Sequence, residues 1–150
     1  MSNLPSWIPF EYAFDRLRAR LAGLTDDEYR WEPAPSVPPI AWRLTHIGDL
    51  LRAERNWTWM GREPLLRDVD IEHPTDAATA IAYVEAGYAA WDALVDELEA
   101  ADLWRPLDDV AGQYAGEPII ALIMHTLDEL IHHAAEVALL RDLYAAQSRS

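Results

Sequence analysis

Glu129 and His133 stand one helical turn apart in the stretch Glu-Leu-Ile-His-His, close enough for a carboxylate and an imidazole to reach one ion. Wound at about 100° per residue, the pair shares its azimuth with Leu122 and Leu140, so two ionisable groups sit on an otherwise apolar face that should be largely buried. A buried carboxylate needs a partner there: a cation, a metal, or the imidazole itself. His46, on an earlier helical stretch, aligns with Trp42, Leu50, Ala53 and Trp57 and is expected to face the core, where it could supply a third ligand. Two imidazoles and one carboxylate leave an open coordination position, as catalytic zinc and non-haem iron sites require.

Simpler readings stay open at this point. A Glu-x-x-x-His pair taken alone is usually a hydrogen bond on a helix surface, and a single core histidine is more often satisfied by a carbonyl or hydroxyl than by a metal. A di-iron centre would use Glu129-x-x-His132, but it needs a second such element, and none is present. His132 is therefore expected to pack or hydrogen-bond at a helix interface, and His73 to belong to a helix-capping turn. His125 and Glu136 flank the strip. Trp42 and Trp57, in line with His46, could wall a pocket. No catalytic acid, base or nucleophile is assigned.

Four helices must position these groups. Phe10, Phe14, Leu17 and Leu21 mark the first, ending near Gly23, and Thr25 with Glu28 has the capping-box pattern of one short turn. Four prolines between 33 and 39 enforce an extended crossing before a second helix from Pro39 to about Trp59. Thr75 is expected to cap a third, with the stripe Ile81, Val84, Tyr88, Trp91, Val95 and Leu98. The fourth, Glu117 to Tyr144, opens on Pro118 and repeats Ile120, Ile123, Leu127, Leu130, Ala134 and Val137. The pattern predicts one all-α domain over 1–150, an antiparallel four-helix bundle with long crossing connections. The connection 100–116, with Trp104, Arg105 and Tyr114, is the candidate lid. Arg105 or Arg141 could offer a fixed charge to a carboxylate on a substrate or thiol.

A net charge of −14 without a basic cluster argues against nucleic acid as a partner. Cysteine is absent, so the chain has neither a disulfide nor a thiol nucleophile. The opening Met-Ser-Asn-Leu-Pro-Ser-Trp-Ile-Pro lacks the basic and apolar regions of a leader, and no stretch is long enough to span a bilayer, so the reading is cytoplasmic. Aromatic residues beyond the core stripes, such as Trp59 and Tyr83, suggest a homodimer.

The stretch His125–Tyr144, H-T-L-D-E-L-I-H-H-A-A-E-V-A-L-L-R-D-L-Y, preceded by A-W-R-L-T-H-I-G-D at 41–49, resembles the DinB-like superfamily. Helix order and spacing are similar over nearly the whole chain, while the specific motifs are confined to these two stretches. The resemblance implies a metal-binding four-helix bundle, in a superfamily that includes thiol-dependent transferases and mycothiol-dependent maleylpyruvate isomerases. Many members have a His on the second helix and H-x-x-x-H on the fourth; here Glu129 takes the first place of that pair, as in the isomerase branch. Carried over, the motif gives His46, Glu129 and His133 as metal ligands and leaves His125 and His132 outside. It implies a divalent metal, zinc or nickel ahead of iron, and a low-molecular-weight thiol of the mycothiol or bacillithiol type as cosubstrate. Trp42, Trp57 and Arg141 are the candidate cofactor contacts. The alternatives are a non-catalytic metal or small-molecule binding bundle, a hydrolase using metal-bound hydroxide, and a structural bundle whose His and Glu simply pair.

Overall fold

Apolar stripes at helical spacing, punctuated by proline and glycine, become helices in the computed structural model, which describes residues 4–150. The first three residues of the stretch inspected for a leader lie outside that range. The helices are α1 (Phe10–Leu21), α2 (Asp26–Arg30), α3 (Ile40–Arg52), α4 (Glu54–Thr58), α5 (Ala77–Asp96) and α6 (Ile119–Gln147). Four of them, α1, α3, α5 and α6, form the bundle. No described helix is long and apolar enough to cross a membrane.

Side-chain pairings fix the helix directions. Phe14 stacks on Tyr88 with ring centroids 3.9 Å apart, Phe10 meets Trp91 and Arg18 grips Glu85, so α1 and α5 are antiparallel. His46 meets Glu129 while Arg43 meets Glu136, so α3 and α6 are antiparallel too. Gly48 lies under Tyr83 and Leu51 beside Gly87, which sets α3 and α5 side by side in the same direction. That parallel pair requires the long crossing between residues 53 and 76. The shared interior is a single cluster that includes Phe14, Leu44, Ile47, Val84, Trp91, Ile123 and Leu130.

Three local expectations are corrected. The second helix does not run to Trp59: Ala53 is extended, and α4 starts afresh beyond it. The buried Asn56 amide donates to the carbonyls of Leu50 (2.9 Å) and Leu51 (3.3 Å), so a side chain satisfies the helix end that backbone donors would otherwise serve. The break turns Trp57 into the core, away from the His46 line. The cap of α5 is Asp76, whose carboxylate accepts from the Thr79 amide at 2.8 Å, and not Thr75. Thr25 does cap α2 by accepting from the Glu28 amide at 3.2 Å, but the Glu28 carboxylate turns inward to Arg141 instead of closing the box.

Tyr83, expected to be surplus surface, is buried within the chain. Its ring lies against Gly48, its hydroxyl donates to Asp49, and the Arg52 guanidinium covers its face at 3.7 Å. His73 belongs here as well: its Nε2 is 3.0 Å from Asp49 Oδ1, so it ties the crossing to α3 and is no capping residue. A Cβ at Gly48 would stand 2.2 Å from the Tyr83 ring. Gly48→Ala is thus expected to destabilise the fold by about 1–3 kcal/mol through overpacking, although alanine gains about 1 kcal/mol in helix propensity. An unchanged or raised urea midpoint would show that Tyr83 can yield.

Candidate metal centre

The candidate centre lies where α3 crosses α6. One turn of α3 separates Trp42 from His46, and their rings stack with centroids 5.1 Å apart and planes 4° from parallel. His133 meets both rings edge-on, at 5.7 Å from Trp42 and 4.5 Å from His46. Glu129 Oε2 is 3.3 Å from His46 Nε2 and 3.4 Å from His133 Nε2, and the three ligand atoms all lie within 4.8 Å of one another. Ligands about 2.1 Å from a tetrahedral ion are separated from one another by about 3.4 Å, so the donor set fits a divalent metal without rearrangement of the backbone.

The site is more open than the sequence pattern predicts. The His133 side chain is 10% exposed, but that of His46 is 38% exposed, and Trp42 is exposed as well. His46 therefore does not face the core. An azimuth gives a direction without saying what stands opposite, and on that flank His46 meets Trp42 and the Glu129 and His133 side chains of α6. Glu129, with its side chain 30% exposed, shares that opening to solvent with His46.

The electrostatics favour metal-competent protonation states. A hydrogen bond with His46 is the main cause holding the Glu129 carboxyl below the usual carboxylate range, with His133 and His125 adding to it. Burial is the main cause lowering the His133 pKa, and His46 adds to it against the opposing pull of Glu136 and Glu129. Both shifts favour the neutral imidazole and ionised carboxylate that ligate a cation.

Glu136 is the residue whose role the sequence reading missed. Its Oε1 sits 2.8 Å from His133 Nδ1, off the angle of a formed hydrogen bond, while its other oxygen is paired with Arg43. A proton on His133 Nδ1 would face Glu136 and leave the Nε2 lone pair aimed at Glu129, the way outer carboxylates orient ligating imidazoles. The i, i+3 spacing to His133 was visible in the sequence; Arg43 comes from another helix and was not. His132 is exposed and reaches Glu136 at 3.0 Å, so it does not pack at a helix interface as expected. His132, His133 and Glu136 form a second group able to hold a cation, but the Arg43 guanidinium already neutralises that carboxylate and opposes a further positive charge. Glu136→Gln is expected to weaken metal binding about tenfold or more with the fold intact. Unchanged affinity by isothermal titration would mean that packing alone orients His133.

The remaining candidates fall elsewhere. Arg141 grips the buried Glu28 through two nitrogens (2.8 and 3.0 Å) and donates to the carbonyls of Arg20 and Ala22, both at 2.7 Å. Two turns beyond His133, about 12 Å along α6, it locks the α1–α2 corner and is not available as a cofactor contact. Arg105 is paired with Asp102 on an exposed turn, and Trp104 points to solvent. The connection 100–116 is no free lid. Leu107 and Ile119 donate across to Glu117 and Arg105 at 2.7 and 2.9 Å, pinning it beside the start of α6. Tyr114 and His125 line a pocket of about 330 Å³ next to it.

An all-helical bundle with a two-histidine, one-glutamate cluster between two of its helices is the class of protein that fold and site define. The sequence profile of the DinB superfamily matches residues 10–137, and the chain belongs to that superfamily. Its fold is similar to the crystal structure of a DinB-like protein from Bacillus cereus ATCC 10987 (TM-score 0.72, 20% identity, covering 93% of this chain and 89% of the other). It is also similar to a conserved protein from Enterococcus faecalis (TM-score 0.64, 17% identity, 89% and 91% covered). No curated protein matches the sequence. The His/Glu cluster, which could hold a metal, accords with the superfamily.

Proposed function

We propose that the protein is a metal-dependent enzyme that uses a low-molecular-weight thiol, of the mycothiol or bacillithiol type, to transfer, conjugate or isomerise a small electrophile in the cytoplasm. The observation that carries this is the convergence of two imidazole nitrogens on one carboxylate oxygen at 3.3 and 3.4 Å, with one flank left open. His46, Glu129 and His133 would hold a divalent ion, and imidazole with carboxylate suits Zn²⁺ or Ni²⁺ and, after them, iron. A bound ion there supplies a positive charge that lowers the pKa of a thiol or water in its open position. The chain itself has no cysteine, so the thiol comes from a cosubstrate.

The chain's own residues do the positioning. Trp42 stacks against His46 and fixes its ring plane, Glu136 and Arg43 back His133, and burial keeps the His133 imidazole neutral. The glutamate at position 129 in place of histidine is the feature shared with the isomerase branch. For a homodimer, the exposed Met124, Ile131 and Leu139 of α6 are the better surface, since Tyr83 is covered internally.

Cobalt-substituted protein should gain a sulfur-to-metal charge-transfer band, with release of about one proton, when mycothiol, bacillithiol or a simpler analogue is added. A spectrum unchanged by any of these at millimolar concentration would remove the thiol from the mechanism. Turnover of an ester without thiol would instead indicate hydrolysis, a reading that the partial exposure of His46 and Glu129 to water favours as the second choice.

A further inference from the structure

We propose that the pocket beside the metal centre is a binding site for a small organic monocarboxylate with a flat apolar body, held by Arg55, Trp59 and Tyr114. The inference deepens the enzymatic reading by naming a substrate class, and it rests on that reading only for the role of the bound acid.

The pocket, about 330 Å³, is the size of a small-ligand site. Its walls are the rings of Trp59 and Tyr114, with centroids 5.7 Å apart and planes inclined at 36°, and Leu107 and Leu122 supply further apolar surface. These walls suit a planar hydrophobic body. Arg55 lies over the Trp59 ring at 5.3 Å, and no carboxylate among the described residues pairs with it. Arg55 is half-buried and lines the pocket without an ion-pair partner among the described residues, so its charge is available to an anionic ligand. Its planar fork, within cation–π distance of the indole, matches a carboxylate. Glu117 lines the same pocket and restricts a ligand carboxylate to the Arg55 side, leaving no room for a second anionic group beside it.

The pocket and the candidate metal centre share α6. His125 lines the pocket and precedes Glu129 by one turn of α6, about 6 Å of rise. An acid anchored at Arg55 would have its apolar end against the face of α6 that carries His125, one turn from Glu129. Neither Arg105 nor Arg141, the arginines expected from sequence to bind a carboxylate, lines this pocket.

The test is calorimetric titration of the full chain with 1-naphthoate and with neutral 1-naphthalenemethanol, once with Zn²⁺ bound and once after chelation. Naphthoate should bind one site in both forms, and the alcohol at least about tenfold more weakly, as expected for loss of a charge-assisted contact. Arg55→Gln should weaken naphthoate about tenfold in both forms and Tyr114→Ala should weaken both ligands, whereas Arg105→Gln should change neither. Equal binding of acid and alcohol, indifference to Arg55→Gln, or no binding at millimolar naphthoate would overturn the proposal. Naphthoate binding seen only with Zn²⁺ would overturn it as well, while leaving the metal reading standing.

Discussion

His133→Ala should abolish tight binding of Zn²⁺ or Ni²⁺, with an affinity loss beyond the ten- to hundredfold typical of an outer-shell partner. His46→Ala should do the same, because each removes one of three donors, both imidazoles already lying from Glu129 at the separation a tetrahedral ion requires. His73→Ala should leave affinity unchanged, since that ring pairs with Asp49 at the α3–α5 side of the bundle. His132→Ala distinguishes the two candidate clusters: binding should survive it, and the exposed position of His132 implies little cost in stability. If His132→Ala removed the metal while His46→Ala did not, the ion would belong to His132, His133 and Glu136. The effect of pH has a definite sign. With the folded-state pKa of His133 lowered, the unfolded chain takes up that proton first, so acidification through the imidazole range removes stability. The depressed Glu129 pKa acts in the same direction at lower pH, where its carboxylate is protonated. Metal-free protein should thus lose stability as pH falls through these windows, and bound metal should offset the loss.

Arg141→Met is expected to destabilise the protein by about 3–5 kcal/mol, the cost of leaving a buried carboxylate without its cation. Glu28 is only 5% exposed, and the guanidinium that grips it also donates to two carbonyls at the end of α1. The double variant Glu28→Leu with Arg141→Met should recover much of the loss, because no uncompensated charge remains. Metal affinity should be unaffected in both, at about 12 Å along α6. Loss of metal with an unchanged denaturation midpoint would return Arg141 to the site.

The bundle was legible because periodicity reports burial directly: the stripe of α1, and that of α6 except for the half-buried Ala134, reappear as buried residues in the structure. His46, Glu129 and His133 were legible as a set because the i, i+4 spacing places two of them and helical alignment nominates the third. What sequence could not supply was what stands opposite each face. Trp57 continued the His46 line in an unbroken helix, yet Asn56 caps α3 with its own side chain and the chain turns there. Arg141 looked like a spare charge because Glu28, its partner, lies 113 positions away. Arg55 drew no attention for the complementary reason that its significance is the lack of any such partner among the described residues, and this emerges only once the helices are packed.

Elemental analysis of protein prepared without a His-tag or chelator, then reconstituted in turn with Zn²⁺, Ni²⁺ and Fe²⁺, bears most directly on the proposed centre. One equivalent of a divalent metal per chain is expected for at least one of these ions, lost in His133→Ala and retained in His132→Ala. Less than about a tenth of an equivalent after every reconstitution, which at micromolar protein would mean affinity too weak for a resident ion, would contradict it and leave His46, Glu129 and His133 as a hydrogen-bonded cluster between two helices.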